Sequence, residues 1–194
     1  MTYFVTGATG FIGRYLVQSL LQKGKGTIYV LVRPKSVGKL DELREFWGKD
    51  SLKRVVPIKG DLGLPKLGVA RGDLTKLKGK VKHFYHLGAV YDLEASAEAM
   101  EKANITGTKG ALEFAEAVDA GCFHLVSSIA AAGLYRGTFS EDMFEEAEEL
   151  DHPYHRTKHD SEAMVRANGR IPFRVYRPGM VLGHSQTGFI DKID

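Results

Sequence analysis

Residues 151–162 place a tyrosine and a lysine, Tyr154 and Lys158, one helical turn apart. Pro153 directly precedes the tyrosine, and proline is tolerated in a helix only in the first turn. We therefore expect a helix that begins here and carries both side chains on one face. A phenol with its ordinary pKa near 10 is a poor acid–base catalyst at neutral pH, but an ammonium group about 4 Å away would favour the phenolate by up to ~4 kcal/mol at an effective dielectric constant of 20. The pair predicts a catalytic tyrosine tuned by a lysine.

A serine, Ser128, ends the run of residues 122–128, 26 positions before Tyr154. If that run is a strand of a parallel sheet, the serine reaches the edge outside which ligands bind. Its hydroxyl could orient and polarise a substrate carbonyl. Ser127 is a lesser candidate, which could equally face the helix layer. Without such a serine, Tyr154 and Lys158 would equally suit the polar start of an amphipathic helix.

Short β-rich runs alternate with longer helical patterns along the chain. The predicted helices cover 11–24, 39–48, a stretch from about Ala95 to Ala120, and the segment that begins at Pro153. The predicted strands are 3–6, 27–32, 54–59, 82–87, 122–128 and 172–178. Six buried strands joined by crossover helices predict an α/β fold with a doubly wound parallel sheet and helices on both faces.

The first predicted strand leads into a glycine-rich turn with Gly7, Gly10 and Gly13 at spacings of three. One glycine would allow the tight turn, one the approach of backbone to a pyrophosphate, and one the close packing of helix on sheet. The start of the helix would then present N–H groups to the phosphates. A glycine turn at the first strand–helix junction of an alternating chain predicts a dinucleotide site rather than a mere tight turn. The other predicted cofactor contacts in this turn are Thr9, Phe11 and Ile12.

The end of the second strand bears on the choice of dinucleotide. An acidic residue about 20 positions after the glycines would hold the ribose 2′-hydroxyl of NAD, but this position carries Arg33 and Lys35. A guanidinium group can donate two parallel hydrogen bonds to a 2′-phosphate. We therefore expect NADP(H), with NAD(H) as the less favoured cofactor. A surface arginine at a strand end is the alternative interpretation of Arg33.

Two further strand ends carry candidate cofactor contacts. Asp61 follows the third strand, where it could accept a hydrogen bond from the adenine amino group or equally cap a local turn. After the fourth strand come small residues, as backbone that passes close to a ligand requires, although a short strand-to-helix turn would look the same. The predicted contacts at these two ends are Asp61, Leu62, Leu87, Gly88 and Ala89.

Composition excludes several other classes of protein. A formal net charge of +3 over 194 residues, with dispersed basic residues, does not favour nucleic acid as a partner. Cys122 is the only cysteine, which excludes an internal disulfide and a multi-cysteine zinc site, suits a reducing compartment, and leads us to expect no metal. No run approaches the roughly 18 consecutive apolar residues of a membrane span, and no leader pattern opens the sequence. We therefore expect a cytoplasmic protein.

The glycine turn, Ser128 and the Tyr154–Lys158 pair together resemble the extended short-chain dehydrogenase/reductase family, and so imply a Rossmann-type domain. The segment 104–108 resembles that family's asparagine-containing helix, so the resemblance adds Asn104 to Ser128, Tyr154 and Lys158 as a catalytic residue. The segment 176–183 resembles the loop that touches the nicotinamide. The cofactor contacts implied by the resemblance are Tyr154, Lys158, Pro178, Gly179 and Val181.

A closer resemblance is carried by residues 31–48, 60–69, 121–162 and 176–188. They are similar to the N-terminal reductase domain of multidomain bacterial fatty acyl-CoA reductases, in the male-sterility-like branch. This resemblance implies reduction of a long-chain fatty acyl thioester or fatty aldehyde toward the alcohol with NADPH. The substrate could be linked to coenzyme A or to a carrier. A homodimer and further domains are both compatible with it.

Extended members of this family continue into a smaller C-terminal region that builds most of the substrate pocket. The resemblance thus implies that residues 1–194 form the cofactor-binding domain and that the substrate region is largely missing. Two alternatives stay open. One is an NAD(P)-dependent nucleotide-sugar epimerase or dehydratase, which Arg33 disfavours because such enzymes usually take NAD. The other is a non-catalytic NADP-sensing protein, which would not need Ser128, Tyr154 and Lys158 together.

Overall fold

In the computed structural model, which describes residues 1–89, 96–183 and 185–189, six strands form one parallel sheet in the order β3-β2-β1-β4-β5-β6. The chain moves outward from β1 to β3, crosses back to β4, and then moves outward on the other side. This order is that of a doubly wound α/β fold, which confirms the predicted fold class. The strands are β1 Tyr3–Thr6, β2 Ile28–Val32, β3 Val55–Lys59, β4 His83–His86, β5 Phe123–Val126 and β6 Phe173–Tyr176.

Seven α-helices connect the described strands. They are α1 Phe11–Lys23, α2 Gly38–Trp47, α3 Ser51–Arg54, α4 Arg71–Leu77, α5 Ala97–Glu101, α6 Gly107–Ala117 and α7 Pro153–Ala167. The predicted long helix is split into α5 and α6 by a π-helical segment at Lys102–Thr106, and its predicted start at Ala95 lies outside the described residues. The short helices α3 and α4 were not predicted. No helix in the described part of the chain is long and apolar enough to cross a membrane.

One face of the sheet is held by a row of aromatic rings. The parallel register pairs Phe4 with Phe84 and Phe84 with Phe123. Their rings stack with centroids 5.1 Å apart in both pairs, and Phe114 of α6 packs on Phe4 at 4.4 Å. All four side chains are fully buried. Since each buried phenylalanine contributes about 1.5–3 kcal/mol, this row fixes both the strand register and the position of α6.

The opposite face is covered by α1 and α2 over the first three strands. Val17 and Leu20 of α1, together with Leu40 and Trp47 of α2, pack on the valines and isoleucine of β1 and β2. The indole Nε1 of Trp47 donates to the backbone oxygen of Arg14 at 2.8 Å, so its polar group is satisfied while the ring is buried. The helices thus lie on both faces of the sheet.

The prediction that all six strands are buried is wrong for β6. Phe173 and Tyr176 are 37% and 42% exposed, and no residue of β6 is fully buried. β6 forms an edge and pairs with β5 alone. Its place at the edge of the sheet contributes to this exposure but is not sufficient by itself, since the other edge strand, β3, buries Val55 and Ile58.

Gly13 offers a test of how closely α1 packs on the sheet. A Cβ at this position would collide with the carbonyl oxygen of Gly7 and with the backbone of Ala8. We expect Gly13→Ala to lower the free energy of unfolding by about 2 kcal/mol or more, because backbone must move to relieve the overlap. Urea denaturation measures this.

The matched control is Gly72→Ala in α4, where a Cβ would meet nothing within 4 Å. We expect this control to be neutral or to stabilise by up to about 1 kcal/mol, the ordinary effect of alanine in a helix. Equal effects of the two substitutions would contradict the packing argument.

Candidate active site

The glycine turn lies where β1, β4 and α1 meet. Gly7 has a φ of +70°, and a Cβ there would stand 2.8 Å from the backbone nitrogen of Gly88 and the carbonyl carbon of Leu87. Glycine is therefore required at position 7 for two reasons: the backbone is left-handed there, and the loop after β4 approaches too closely for a side chain. The Gly10 N–H donates to the Gly7 oxygen at 3.0 Å and closes the turn.

The same turn leaves room for a phosphate at the start of α1. Gly10 has an ordinary φ of −81°, and a Cβ there would meet only the Gly7 oxygen, at 3.3 Å. The fold therefore requires glycine less strictly here than at Gly7 or Gly13, because a shift of a few tenths of an ångström would relieve this contact, whereas close approach of a ligand would require it. Gly10 is the N-cap of α1 and has no side chain to occupy the N–H groups of the first turn. Thr9, Gly10 and Ile12 are exposed on this side. These features fit a dinucleotide pyrophosphate.

The ends of β3 and β4 contact one another beside this turn. A Cβ on Gly88 would stand 2.5 Å from Leu62 Cδ1, so Leu62 packs directly on the Gly88 backbone. Asp61 Oδ1 accepts a hydrogen bond from the Gly63 N–H at 2.9 Å, which is the turn-capping arrangement considered for this residue. Leu87 is half-buried, whereas Ala89 is exposed. These ends lie along the carboxyl edge of the sheet.

Arg33 directly follows β2 on the same edge. Its side chain is exposed, as is that of Lys35. Pro34 begins a short 3₁₀ turn immediately afterwards. The position is open to an approaching ligand.

Helix α7 begins at Pro153, as the sequence predicted. His152 caps it, with its Nδ1 accepting the Tyr154 N–H at 3.1 Å. Tyr154 and Lys158 lie one turn apart and are both buried. The Lys158 Nζ donates to the Val126 oxygen at 3.4 Å and lies 5.9 Å from the centre of the Tyr154 ring. The helix therefore brings this pair to the carboxyl end of β5.

The environment of Lys158 changes its acid–base behaviour. Burial lowers the pKa of Lys158 to about 8 from its ordinary value of 10.5. At pH 7 the amine is then still protonated in about nine molecules out of ten. It can act as a cation toward Tyr154 and yet titrate near working pH.

A buried histidine, His86, lies beneath this pair. Its Nδ1 pairs with Thr6 Oγ1 at 2.8 Å and its Nε2 with Thr108 Oγ1 at 3.2 Å. Burial, and then the charge of Lys158, lower the pKa of His86 to about 3, so the ring is neutral at physiological pH. Thr6 Oγ1 also accepts the Gly88 N–H at 3.1 Å. His86 thus ties the ends of β1 and β4 to α6.

Asn104 lies in the π-helical segment between α5 and α6. It is buried, and its Nδ2 donates to Thr157 Oγ1 at 3.1 Å. Thr157 precedes Lys158 on α7, and its hydroxyl donates in turn to the backbone carbonyl oxygen of Tyr154 at 3.2 Å. The extra residue of a π-turn is often found at functional sites. Here it turns the amide toward the helix that carries the tyrosine and lysine.

Ser128 is half-buried at the end of β5, whereas Ser127 is buried beside Glu162 on the helix side. Ser128 Oγ accepts the Ala130 N–H at 3.1 Å and so caps a 3₁₀ turn at Ile129–Ala132. The Ile129 N–H donates to the Pro178 oxygen at 3.2 Å.

That hydrogen bond places the loop after β6 beside the serine. A Cβ on Gly179 would lie 3.7 Å from Ile129 Cδ1. Gly179 and Val181 are both exposed. The structure therefore brings the predicted residues to one edge of the sheet, with Arg33 and Val181 at its exposed margins.

Comparison with known proteins agrees with this arrangement. Residues 5–194 match the family described as male sterility protein, a family of NAD-binding domains. The chain belongs to this family. A family of NAD-binding domains supports a nicotinamide cofactor for this chain, which is the class of ligand predicted for the glycine turn.

Relatives of the male sterility family include parts of much larger enzymes. The chain is 35% identical, over 98% of its length, to a linear gramicidin synthase polypeptide of Brevibacillus parabrevis, of which it covers 4%. It is 29% identical, over 92% of its length, to a Drosophila melanogaster protein named as a fatty acyl-CoA reductase, of which it covers 43%. Among solved structures, the terminal R domain of the myxalamid biosynthetic pathway superposes with a TM-score of 0.87 at 31% identity, over 98% of this chain and 52% of that one. The chain therefore spans about half, or less, of the length of each of these relatives.

A second kind of neighbour shares the fold. UDP-glucuronic acid 4-epimerase from Bacillus cereus, solved with NAD, superposes with a TM-score of 0.71 at 26% identity, over 91% of this chain and 56% of that one. The architecture is therefore common to reductase domains and to a sugar-nucleotide enzyme.

An ion pair behind the site was not predicted. Glu162 is fully buried on α7, one turn after Lys158, and accepts hydrogen bonds from Arg177 at 2.6 Å and from Arg166 at 2.8 Å. Burial alone would raise the pKa of Glu162, but hydrogen bonds from Arg177 and Arg166 outweigh it and lower that pKa. Arg177 also donates to the Met143 oxygen at 2.9 Å. It thereby links the loop after β6 to α7 and to the acidic segment 141–150.

Sequence reasoning missed these residues for a common reason. Thr6 and His86 are 80 positions apart and meet only through the register of β1 and β4. Glu162 and Arg177 meet only after α7 has packed beside β6. The single available signal was the presence of polar residues inside otherwise apolar strands, as in Thr6 and His86.

The lowered pKa of Lys158 has a consequence for stability without cofactor. The unfolded chain binds this proton more tightly than the folded chain, so stability should rise as pH increases from about 8 to about 10.5. We expect wild type to gain about 3 kcal/mol over this range relative to Lys158→Met, which has no titrating group there. Urea unfolding of both proteins at several pH values measures the difference.

Lys39→Met provides the control, because Lys39 is exposed on α2. The free energy of unfolding of Lys39→Met should depend on pH in the same way as that of wild type. If the free energies of unfolding of wild type and Lys158→Met differed by the same amount at every pH in this range, the pKa of Lys158 would not be lowered by folding.

Proposed function

We propose that this chain is the cofactor-binding part of an NADPH-dependent reductase that converts an acyl thioester or an aldehyde toward the alcohol. The observation that carries the proposal is the position of Lys158. Its amine lies between the Tyr154 ring and the end of the strand that leads to Ser128. A phenol, a cation and a serine are thereby brought to the same edge of the sheet, which is the arrangement that the proposed reaction needs.

Each residue of this group has a distinct role in the proposed reaction. A bound nicotinamide supplies the hydride. Ser128 donates a hydrogen bond to the substrate carbonyl and orients it. Tyr154 donates its proton to the carbonyl oxygen, and the charge of Lys158 stabilises the phenolate that remains.

Other residues hold this group in position. Asn104 binds Thr157, which lies between the proposed acid and its lysine. His86 stays neutral and so adds no second positive charge beside Lys158. We assign both as positioning residues rather than as proton donors.

The cofactor is NADPH in this proposal because Arg33 stands at the end of β2 without an acidic partner for a ribose hydroxyl. The glycine turn would hold the pyrophosphate through the first turn of α1. Leu62, Leu87 and Gly88 would border the nucleotide, and Pro178 and Gly179 the nicotinamide.

The substrate class follows from the relatives. One is named as a fatty acyl-CoA reductase, and others are parts of peptide synthetases or an R domain of such a pathway. The first of these names contains an acyl thioester of coenzyme A, and we extend the proposed substrate class to an acyl thioester linked to coenzyme A or to a carrier. A long-chain acyl group remains the first substrate to test. The cofactor-binding domain spans residues 1–194, and further parts of the protein would complete the acyl pocket.

A nucleotide-sugar epimerase is the second candidate, because the epimerase neighbour shares the fold at 26% identity. NADPH consumption with a long-chain aldehyde, an acyl-CoA and a UDP-sugar separates the two. Consumption with either acyl substrate supports the reductase. Interconversion of UDP-sugars with no net consumption supports the epimerase.

Tyr154→Phe tests the proposed proton donor. We expect turnover by the complete protein to fall by about 10²-fold or more, since general-acid catalysis contributes that much. The dissociation constant for NADPH should change by less than about twofold, because the ring is kept. Stopped-flow turnover and NADPH fluorescence measure the two quantities.

Tyr85→Phe is the matched control, since Tyr85 stacks on His124 of the sheet rather than lying on α7. It should leave turnover unchanged. Full activity in Tyr154→Phe would exclude the tyrosine as the acid.

Arg33→Ala tests the choice of cofactor. A charge-assisted hydrogen bond contributes about 1.5–3 kcal/mol, so we expect the dissociation constant for NADPH to rise by about tenfold or more. NADH binding should stay nearly unchanged. Lys39→Ala, which removes another exposed cation on α2, should affect neither cofactor. Equal binding of NADPH and NADH by wild type would contradict the role of Arg33.

A further inference from the structure

We propose that His83, Cys122 and His124 form a binding site for one zinc ion. The three side chains come from the start of β4, the residue before β5, and the middle of β5. Their ligand atoms all lie within 4.8 Å of one another. Two imidazole nitrogens and one thiolate are a donor set that zinc prefers.

The geometry needs little adjustment to hold the ion. His83 Nδ1 and His124 Nε2 are 2.9 Å apart, whereas two nitrogens on a tetrahedral zinc, with bonds of about 2.0–2.1 Å, stand about 3.3 Å apart. A separation increase of about 0.4 Å therefore suffices. Without metal, one ring must donate a proton to the other. With metal, that proton leaves to solvent, as does the thiol proton of Cys122.

Neighbouring groups hold the histidine rings in place. The Tyr176 hydroxyl pairs with His124 Nδ1 at 3.0 Å, which leaves Nε2 directed at His83. Such a partner on the second ring nitrogen is the usual support of a metal-binding histidine. Tyr85 stacks on His124 with centroids 4.3 Å apart, and Tyr3 on His83 at 5.9 Å.

The site is open to solvent on one side. His83 and Cys122 are half-buried, and His124 is buried. An ion can therefore enter past the first two ligands, and a water molecule can complete the fourth position. The positive charge of Arg174 opposes the binding of a cation, because its guanidinium acts electrostatically on all three ligands. It should weaken zinc binding.

The site is separate from the proposed active site. His83 and His124 each precede the loop residues Leu87 and Ser128 by four positions on their strands. At a strand rise of about 3.3 Å per residue, this places the ligands roughly 13 Å from the carboxyl edge. They also lie on the face opposite the phenylalanine row. The ion would stabilise the pairing of β4 and β5 rather than take part in hydride chemistry.

The test uses Co²⁺ as a spectroscopic probe and Zn²⁺ for stability, with purified chain lacking a polyhistidine tag. We expect one Co²⁺ per chain, with visible bands of a tetrahedral site and a thiolate-to-cobalt band in the near ultraviolet. Zn²⁺ should displace it. At a hundredfold excess over its dissociation constant, Zn²⁺ should raise the melting temperature by about 5 °C or more.

Single variants assign the ligands. Cys122→Ser should lose the thiolate band, and both Cys122→Ser and His83→Asn should weaken binding by tenfold or more. Tyr176→Phe should weaken it by about tenfold, whereas Arg174→Gln should tighten it. Circular dichroism checks that each variant folds.

His152→Asn is the control, because His152 is exposed and asparagine also caps a helix. It should bind Co²⁺ as wild type does. The proposal is overturned if Co²⁺ gives no thiolate band, if Cys122→Ser binds as tightly as wild type, or if His152→Asn weakens binding as much as His83→Asn. None of these outcomes bears on the reductase proposal, which NADPH binding tests separately.

Discussion

The amine of Lys158 is buried, and burial of a charged group is costly unless neighbouring groups compensate for the lost water. The surrounding residues provide this compensation. The amine has the Val126 carbonyl oxygen at 3.4 Å and the Tyr154 ring nearby. Burial lowers its pKa to about 8 but leaves it protonated at neutral pH. His86 is held neutral by its own burial and, to a smaller extent, by the charge of Lys158. The proposed acid, its cation and the neutral histidine therefore form one buried unit.

Helix α7 is fixed at two places so that this unit keeps its geometry. Near its start, Asn104 in the π-helical segment binds Thr157. One turn after Lys158, Glu162 accepts a hydrogen bond from Arg177, which lies directly after β6. A buried carboxylate that lost such a partner would destabilise the protein by about 3–5 kcal/mol. The ion pair therefore also determines how the loop of Pro178 sits beside the serine turn.

Local signals in the sequence were sufficient for much of the fold. The glycine spacing predicted the turn at β1, Pro153 predicted the start of α7, and the alternation of patterns predicted the doubly wound sheet. Each of these depends on residues close together in the chain. Helix α4 was missed because it is only seven residues long and follows a glycine- and proline-rich connection, where periodicity is too short to detect.

The exposure of β6 could not be predicted in the same way. Its residues follow the alternating pattern of a strand, but whether a strand lies at the edge depends on its partners in the sheet. The same limit applies to side chains that meet across strands. Thr6 meets His86 because the parallel register of β1 and β4 aligns these two residues, 80 positions apart. His83 meets His124 diagonally across β4 and β5, since the register there pairs His124 with Tyr85. A single sequence contains no spacing that marks either pair.

These cross-strand pairs connect the two ends of the sheet. β4 carries His83 at its start and leads into Gly88, which the glycine turn contacts. β5 carries His124 and leads into Ser128. Because the two strands are joined by a continuous hydrogen-bonded ladder, a ligand that fixed their separation at one end would limit their relative movement at the other. The spacing between the glycine turn and the proposed carbonyl-orienting serine therefore depends on the pairing of β4 with β5 as well as on the loops.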